Sequence, residues 1–435
     1  MINKYFSRFF LIISLTLLIY VTYRSEILYN GNNRDYYKIY YYISSLLIFL
    51  SIISFYLDYK FKLYFFITLI SISFSIYAFE LYYTYQNNFF TKPAYQEVRK
   101  AAKIYKDKTS KNYDLRDRSE IYFDKRELEE LTLDIEPSIF LNDKSLKILP
   151  LSGVSKFKTI NCNENGYYSI FLSDRYGFNN PDDQWNENEI EYTLIGDSFV
   201  HGDCVNRPYD IASNLRTLSN KPVINLGFGG NGPLLEFATL KEYLKPNTKN
   251  IIWVFTDNDL RNLETELENK ILLKYFNDQN FKQNLINFQS EINRIVHDKL
   301  EFNLSKGRET GKFDLLKFLK FYNTRLLFST YTFEIKPQFS QILKLANDFS
   351  KKNGSNFYFV YLPQYQNYQS NYDEEMYKKV IQEAQKLNLR IIDIKEEFEN
   401  ENVDKLKLFP FNMYGHYTEY GYKVISDIIF KQTKD

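Results

Sequence analysis

Three apolar runs crowd the first 86 residues, and a lipid bilayer is the solvent that best accommodates them. Residues 9–23 (FFLIISLTLLIYVTY), 39–57 (IYYYISSLLIFLSIISFYL) and 63–83 (LYFFITLISISFSIYAFELYY) each approach the roughly 20 residues that carry a helix across a membrane. Tyr20, Tyr23, Tyr40 and Tyr82 lie near their ends, where an amphipathic ring sits at headgroup level. The first run follows Lys4 and Arg8 as a secretory signal would, but no small-residue cleavage site comes after it and two more runs follow directly. The expectation is a membrane module, 1–86, of three transmembrane helices in contact with the lipid bilayer. Its orientation is not readable from charge: Lys4, Arg8, Lys60 and Lys62 fall on one side, and Arg24, Arg34, Lys38, Lys92 and Arg99 on the other.

Beyond the membrane module, 87–188 is polar and mixed in charge and reads as a lead-in segment. At 189 the pattern changes to short apolar runs separated by helical stretches. The runs are EYTLIGD (191–197), PVINLGFGG (222–230), NIIWVFTD (250–257), NFYFVYLP (356–363) and LRIIDI (389–394). Such alternation predicts an α/β domain, 189–435, with a flavodoxin-like parallel sheet whose ligand crevice lies beyond the carboxyl ends of the strands. Residues 262–338 read as a helical insertion, expected to overhang that crevice because it emerges after the third strand. Lys and Arg number 55 against 54 Asp and Glu, so bulk charge offers no argument for nucleic acid. The 39 Tyr and 38 Phe follow a general Tyr, Phe, Ile, Asn and Lys excess and are not read as a recognition surface.

Chemistry collects at the predicted strand ends. The first strand runs into Gly196-Asp197-Ser198, placing the Ser198 hydroxyl where such sheets put reacting groups. The second runs into Gly227-Phe228-Gly229-Gly230-Asn231-Gly232, whose glycines let backbone N–H groups approach a ligand oxygen. Gly227, Gly229 and Gly232 also spell GxGxxG, but after the second strand rather than the first, which argues against a dinucleotide site. The third strand leads to Asn258, a further amide donor, and Gly415-His416-Tyr417 precedes the last helix. His201 is expected on the surface and His297 on an exposed helical face. Two Cys and three His stand too far apart in sequence for zinc spacing, so no metal and no cofactor are expected.

Taken in order, these residues resemble the blocks of the SGNH (GDSL-type) hydrolase family, in particular its membrane-anchored bacterial members. The resemblance spans about 189–435. It implies Ser198 as nucleophile, His416 as general base, and an oxyanion hole from Ser198, Gly230 and Asn258. Two positions depart from the family pattern. Thr256 stands where block three has Gly, and Met413 where block five has the Asp that orients the histidine. Asn412 is the candidate His-orienting stand-in, with Asp404 and Glu419 behind it. The implied activity is ester cleavage through an acyl-serine on an ester-bearing envelope glycan or lipid. The alternatives are an O-acyltransferase modifying an envelope polysaccharide, which would need a membrane-embedded acyl-donor partner, and a degenerate, non-catalytic glycan-binding domain. The implied location is the inner, cytoplasmic membrane with the SGNH-type domain on the periplasmic side, where Cys162 and Cys204, the only cysteines, are expected to form a disulfide.

Overall fold

Eight strands form two sheets in the computed structural model, which describes residues 2–28, 31, 34–89, 93–126, 128–307, 315–328, 335–370, 372 and 374–434. The first sheet holds β1 (Leu131–Leu133), β2 (Lys158–Ile160) and β3 (Ile170–Leu172), with β1 parallel and β3 antiparallel to β2. The second holds β4 (Ile190–Ile195), β5 (Val223–Asn225), β6 (Thr248–Phe255), β7 (Asn356–Tyr361) and β8 (Arg390–Asp393). All its pairings are parallel, in the order β5-β4-β6-β7-β8, which is the flavodoxin-like order with a switch point between β4 and β6.

The sheet is apolar on both faces because helices cover both. On β6, Ile251, Trp253 and Phe255 enter one core and Ile252 and Val254 the other; on β7, Phe357, Phe359 and Tyr361 alternate likewise with Tyr358 and Val360. Helices Pro233–Tyr243, Pro337–Lys352 and Glu374–Lys386 pack on the first face, and Ile211–Ser219 and Glu419–Thr433 on the second. Local chemistry sets their starts. Asp210 accepts the Ser213 N–H at 2.9 Å, Thr418 accepts that of Gly421 at 3.1 Å, and Pro233 and Pro337 occupy first-turn positions that need no N–H.

The chain divides into two compact units, Met1–Lys92 with Phe313–Ser329, and Pro93–Lys312 with Thr330–Asp435. In the first, the helices Ile2–Thr22, Arg34–Tyr56 and Tyr59–Phe89 are long and apolar enough to cross a membrane. The first two lie against each other through small polar residues. Ser14, Ser44, Ser51 and Ser54 are buried, and the Ser7 hydroxyl donates to the Ser54 carbonyl at 3.0 Å. The middle of the expected insertion belongs to this unit. Glu80 on the third helix accepts the N–H groups of Asn323 and Thr324 at 3.0 and 2.7 Å, satisfying the open start of the helix Tyr322–Phe328, while Tyr77 stacks on Phe321 with ring centroids 4.4 Å apart.

The remainder of the insertion does not overhang the crevice in the way expected. Lys270–Asn277 turns instead toward the helix Pro233–Tyr243, where Glu242 accepts from the Tyr275 hydroxyl and from the N–H groups of Gln283 and Leu285, while Gln289–Gly307 meets the lead-in, Asn293 Oδ1 accepting the Ser155 N–H at 3.0 Å. Leu272, Tyr275, Leu285, Val296 and Leu300 are buried there because this face of the sheet needs a second apolar layer.

The lead-in is likewise no linker. Leu133, Phe140, Leu151, Ile160 and Phe178 join the core of the first sheet face. Buried Asp174 folds the stretch that follows by accepting from Trp185 Nε1 at 2.7 Å, Asn180 Nδ2 at 2.8 Å and the Phe178 N–H at 3.0 Å. Asn180 then closes the sheet's edge, its amide exchanging two 2.8 Å hydrogen bonds with the backbone of Asn225 on β5. Phe178→Ala should therefore cost about 3–5 kcal/mol in a denaturant titration. A cost within about 0.5 kcal/mol, the usual range for surface positions, would return the lead-in to the status of a spacer.

Candidate active site

Ser198 begins the four-residue helix Ser198–His201 directly beyond β4. Asp197 caps it, accepting the Phe199 N–H at 3.0 Å, so the hydroxyl is held at the carboxyl edge of the sheet. From the opposite end of the chain, the Thr418-capped start of the last helix brings in His416, whose Nε2 lies 2.9 Å from Ser198 Oγ. The structure thus joins the two residues across 218 positions of sequence.

The partner of the other imidazole nitrogen comes from the lead-in. Glu164 Oε1 and Oε2 lie 3.1 and 3.2 Å from His416 Nδ1, and Oε2 also accepts the His416 backbone N–H at 2.5 Å. Gly415 permits this approach, since a Cβ there would lie 2.7 Å from Glu164 Oε2. Asn412 does not orient the histidine. It is exposed, in a left-handed conformation with φ +58°, and its carbonyl accepts from the Tyr365 hydroxyl at 3.4 Å. Asp404 pairs with Lys407, and Glu419 accepts from Tyr167. The tight turn at 411–412 carries Asn412 outward, whereas the loop at 161–165 is fastened against the site.

That fastening is covalent and polar. Cys162 and Cys204 form a disulfide, with Cα atoms 4.8 Å apart, between the loop carrying Glu164 and the turn just after the Ser198 helix. Asn161 Oδ1 accepts the Cys204 N–H at 3.0 Å, and Asn165 Nδ2 donates to the Cys204 carbonyl at 3.0 Å. Glu164 is thus bracketed by contacts to Cys204. The available signal in sequence was Cys204 itself, which stands close behind Ser198 and leads back to Cys162, two residues before Glu164.

Electrostatics follow from this burial. Desolvation works against a charged His416, but Glu164, with Asp203 and Asp197 further off, favours the imidazolium and raises its pKa to about 9. Desolvation would likewise raise the Glu164 carboxyl, yet the charge and hydrogen bonds of His416 hold it below the usual range. Asp197 is fully buried and pushed up by desolvation, which donors from Phe199, Asn258 and Thr256 offset in part.

Gly230 sits in the turn after β5 with φ +70°, where a Cβ would lie 2.6 Å from Glu136 Oε2 and 2.7 Å from Ser138 Oγ. Glycine is therefore required both for the conformation and for the approach of the lead-in. Neither the Ser198 nor the Gly230 N–H donates to another group among the described residues, which leaves both for a ligand oxygen. Asn258 Nδ2 donates to Asp197 Oδ2 at 3.1 Å, and its Oδ1 faces the hydroxyl of Thr256 at 2.5 Å and Gln364 Nε2, an arrangement that fixes the amide. Thr256, in place of a glycine, ties Asn258 and Asp197 together. His201, expected at the surface, is fully buried between Phe171 and Phe228, while His297 is exposed.

No family model and no curated protein matches the chain. Among solved structures, a "putative lipolytic protein of G-D-S-L family" from Desulfitobacterium hafniense DCB-2 is similar at 13% identity and a TM-score of 0.31, covering 56% of this chain and 99% of that one. A likeness of that extent carries no weight for what this chain does.

Any reaction that needs His416 as a base requires its neutral form, so the rate should rise with pH through about 9. Glu164→Gln should shift that rise to lower pH while lowering kcat roughly 10²- to 10⁴-fold, the upper figure being that of a triad acid replaced by its amide. Asn412→Ala should leave both unchanged. Reducing the disulfide, or Cys162→Ser, should lower kcat more than it raises KM, because the loop holding Glu164 loses its tie; an unchanged kcat would show that the tie is dispensable.

Proposed function

We propose that this chain is a membrane-anchored serine esterase of the SGNH type, acting on acyl esters of an envelope glycan or lipid. The observation that carries the reading is the unbroken line of contacts from Glu164 to His416 to Ser198. Neutral His416 takes the Ser198 proton as Oγ attacks the ester carbonyl, and Glu164 accepts from Nδ1–H and favours the imidazolium that forms. The tetrahedral oxyanion is received by the N–H groups of Ser198 and Gly230, and the Asn258 amide stands at the same edge as a third donor. His416 then gives its proton to the leaving alcohol, an acyl-serine remains, and water activated by the same base releases the acid.

Anchoring supports a lipid or polymer substrate over a diffusing metabolite, because a tethered domain meets surface-bound esters at high local concentration. The disulfide supports an oxidising compartment, hence the periplasmic side of an inner membrane. Transfer of the acyl group to a sugar hydroxyl would use the same serine and base. A donor-supplying membrane partner would be required for that route, since three helices offer no evident acyl channel of their own.

The full chain in detergent should hydrolyse short-chain nitrophenyl esters and be labelled at Ser198 by a fluorophosphonate. Ser198→Ala should abolish labelling and lower kcat by about 10⁴-fold or more. Labelling elsewhere, or hydrolysis unaffected by the substitution, would remove the catalytic reading and favour a glycan-binding role.

A further inference from the structure

A second cluster of ligating groups lies behind Ser198, and only Asp203 among them bears on the ester chemistry described above, through its charge on His416. His201, on the last turn of the Ser198 helix, is 0% exposed. Its Nδ1 lies 3.1 Å from the Gly227 carbonyl, which can only accept, so Nδ1 carries a proton and a neutral ring presents its lone pair at Nε2. That Nε2 has no hydrogen-bond partner and faces two carboxylates, Asp134 Oδ2 at 3.5 Å and Asp203 Oδ1 at 3.9 Å. Asp134 is 5% exposed, and its Oδ1 is likewise without a partner. A lone pair aimed at two buried carboxylates is repulsive unless a positive charge lies between them.

We propose that Asp134, His201 and Asp203 form a site for a first-row divalent cation such as Zn²⁺. One ligand atom from each lies within 4.8 Å of the others. Donors around a tetrahedral ion with bonds of about 2.0–2.1 Å stand roughly 3.4 Å apart, so the three side chains need only a modest inward adjustment. Imidazole with carboxylates favours Zn²⁺ or Mn²⁺ over Ca²⁺ or Mg²⁺. The surroundings also suit a metal. Gly227 fixes the tautomer of the ligating histidine, as outer partners of metal-bound histidines do, and Asn161 Nδ2 orients both carboxylates, donating to Asp134 Oδ2 at 3.0 Å and to Asp203 Oδ1 at 2.9 Å.

Charge balance points the same way. Asp134 and Asp203 each turn a carboxylate oxygen toward His201, and one cation between them would offset both charges. Among the described residues no lysine or arginine makes a salt bridge with the cluster, and His416 Nε2 is 4.0 Å from Asp203 Oδ2. The other grouping of ligand types, Cys162 and Cys204 with His416, has both sulfurs committed to the disulfide. The three proposed ligands come from the end of β1, the Ser198 helix and the turn after it, so an ion would pin the lead-in to the strand edge beside the disulfide. Linear spacing conceals such a site because Asp134 lies far upstream of the other two.

The test uses the full chain in detergent, stripped with a chelator and dialysed against buffered Zn²⁺, with Co²⁺ absorption as a second readout. The proposal predicts one saturable Zn²⁺ per chain, Co²⁺ d–d bands that saturate at one equivalent and are displaced by Zn²⁺, and a thermal midpoint that rises with Zn²⁺. His201→Gln and Asp203→Asn should each weaken binding by at least the roughly 10- to 100-fold that even a lost outer-shell partner costs. Asp203→Asn retains an oxygen for Asn161 to donate to, which protects the fold, and the wild-type Co²⁺ titration stands even if a variant fails to fold. Absence of saturable Zn²⁺ and Co²⁺ binding by the wild type, or equal binding by folded variants, would overturn the site. The inference does not depend on the esterase reading: Ser198→Ala should bind the ion as tightly as the wild type.

Discussion

Glu164 can steer His416 only if the lead-in loop is held against the strand edge, and much of the surrounding architecture serves that attachment. A carboxylate buried against an imidazole is favourable when geometry and hydrogen bonds offset the desolvation of both, and costly when either moves away. The Cys162–Cys204 bridge, the paired contacts of Asn161 and Asn165 to Cys204, and the absent side chain at Gly415 each remove a way for Glu164 to drift. Farther out, Asp174 and Asn180 bind the same segment to the edge strand β5. The lead-in is thus part of the same folded unit as the candidate site: its core residues, its edge pairing and Glu164 enter together.

The membrane unit obeys a separate constraint. Its three helices expose large apolar side chains such as Ile19 and Phe74, which water would penalise and lipid would not. Buried polar groups instead meet a neighbouring helix, as Ser7 does at the Ser54 carbonyl, or serve the returning segment through Glu80. One stretch of chain therefore leaves the α/β unit and is claimed by the membrane unit before returning.

The five parallel strands and their crossover helices were legible in sequence because continuous apolar runs bounded by Gly, Asp and Pro have few other uses. Ser198, Gly230, Asn258 and His416 were legible because each lies at a strand end or helix start. The lead-in was not, since its core positions are spread among turns, with only short runs such as Leu131, Leu133 and Ile135 spaced at 2 and residues such as Phe178 and Trp185 standing apart. Glu164 escaped for a related reason. An acid supplied by a distant loop leaves no spacing relative to His416, and proximity in sequence favoured Asn412, which the left-handed turn at 411–412 carries outward. The burial of His201 is not legible, because a lone histidine in a polar context does not reveal that Phe171 and Phe228 close over it. The fate of the insertion was equally hidden, its amphipathic helices being equally suited to overhanging a crevice or thickening a core.

The orientation of His416 by Glu164 is the central claim, and the chain has only three histidines with which to test it. Selective ¹⁵N labelling would resolve each imidazole, with exposed His297 as an internal reference. The account predicts that His416 titrates near 9 in the wild type, and that Glu164→Gln moves its midpoint down while leaving His297 in place. A wild-type His416 that titrates near the ordinary value of about 6.5, and does not respond to the loss of Glu164, would contradict it.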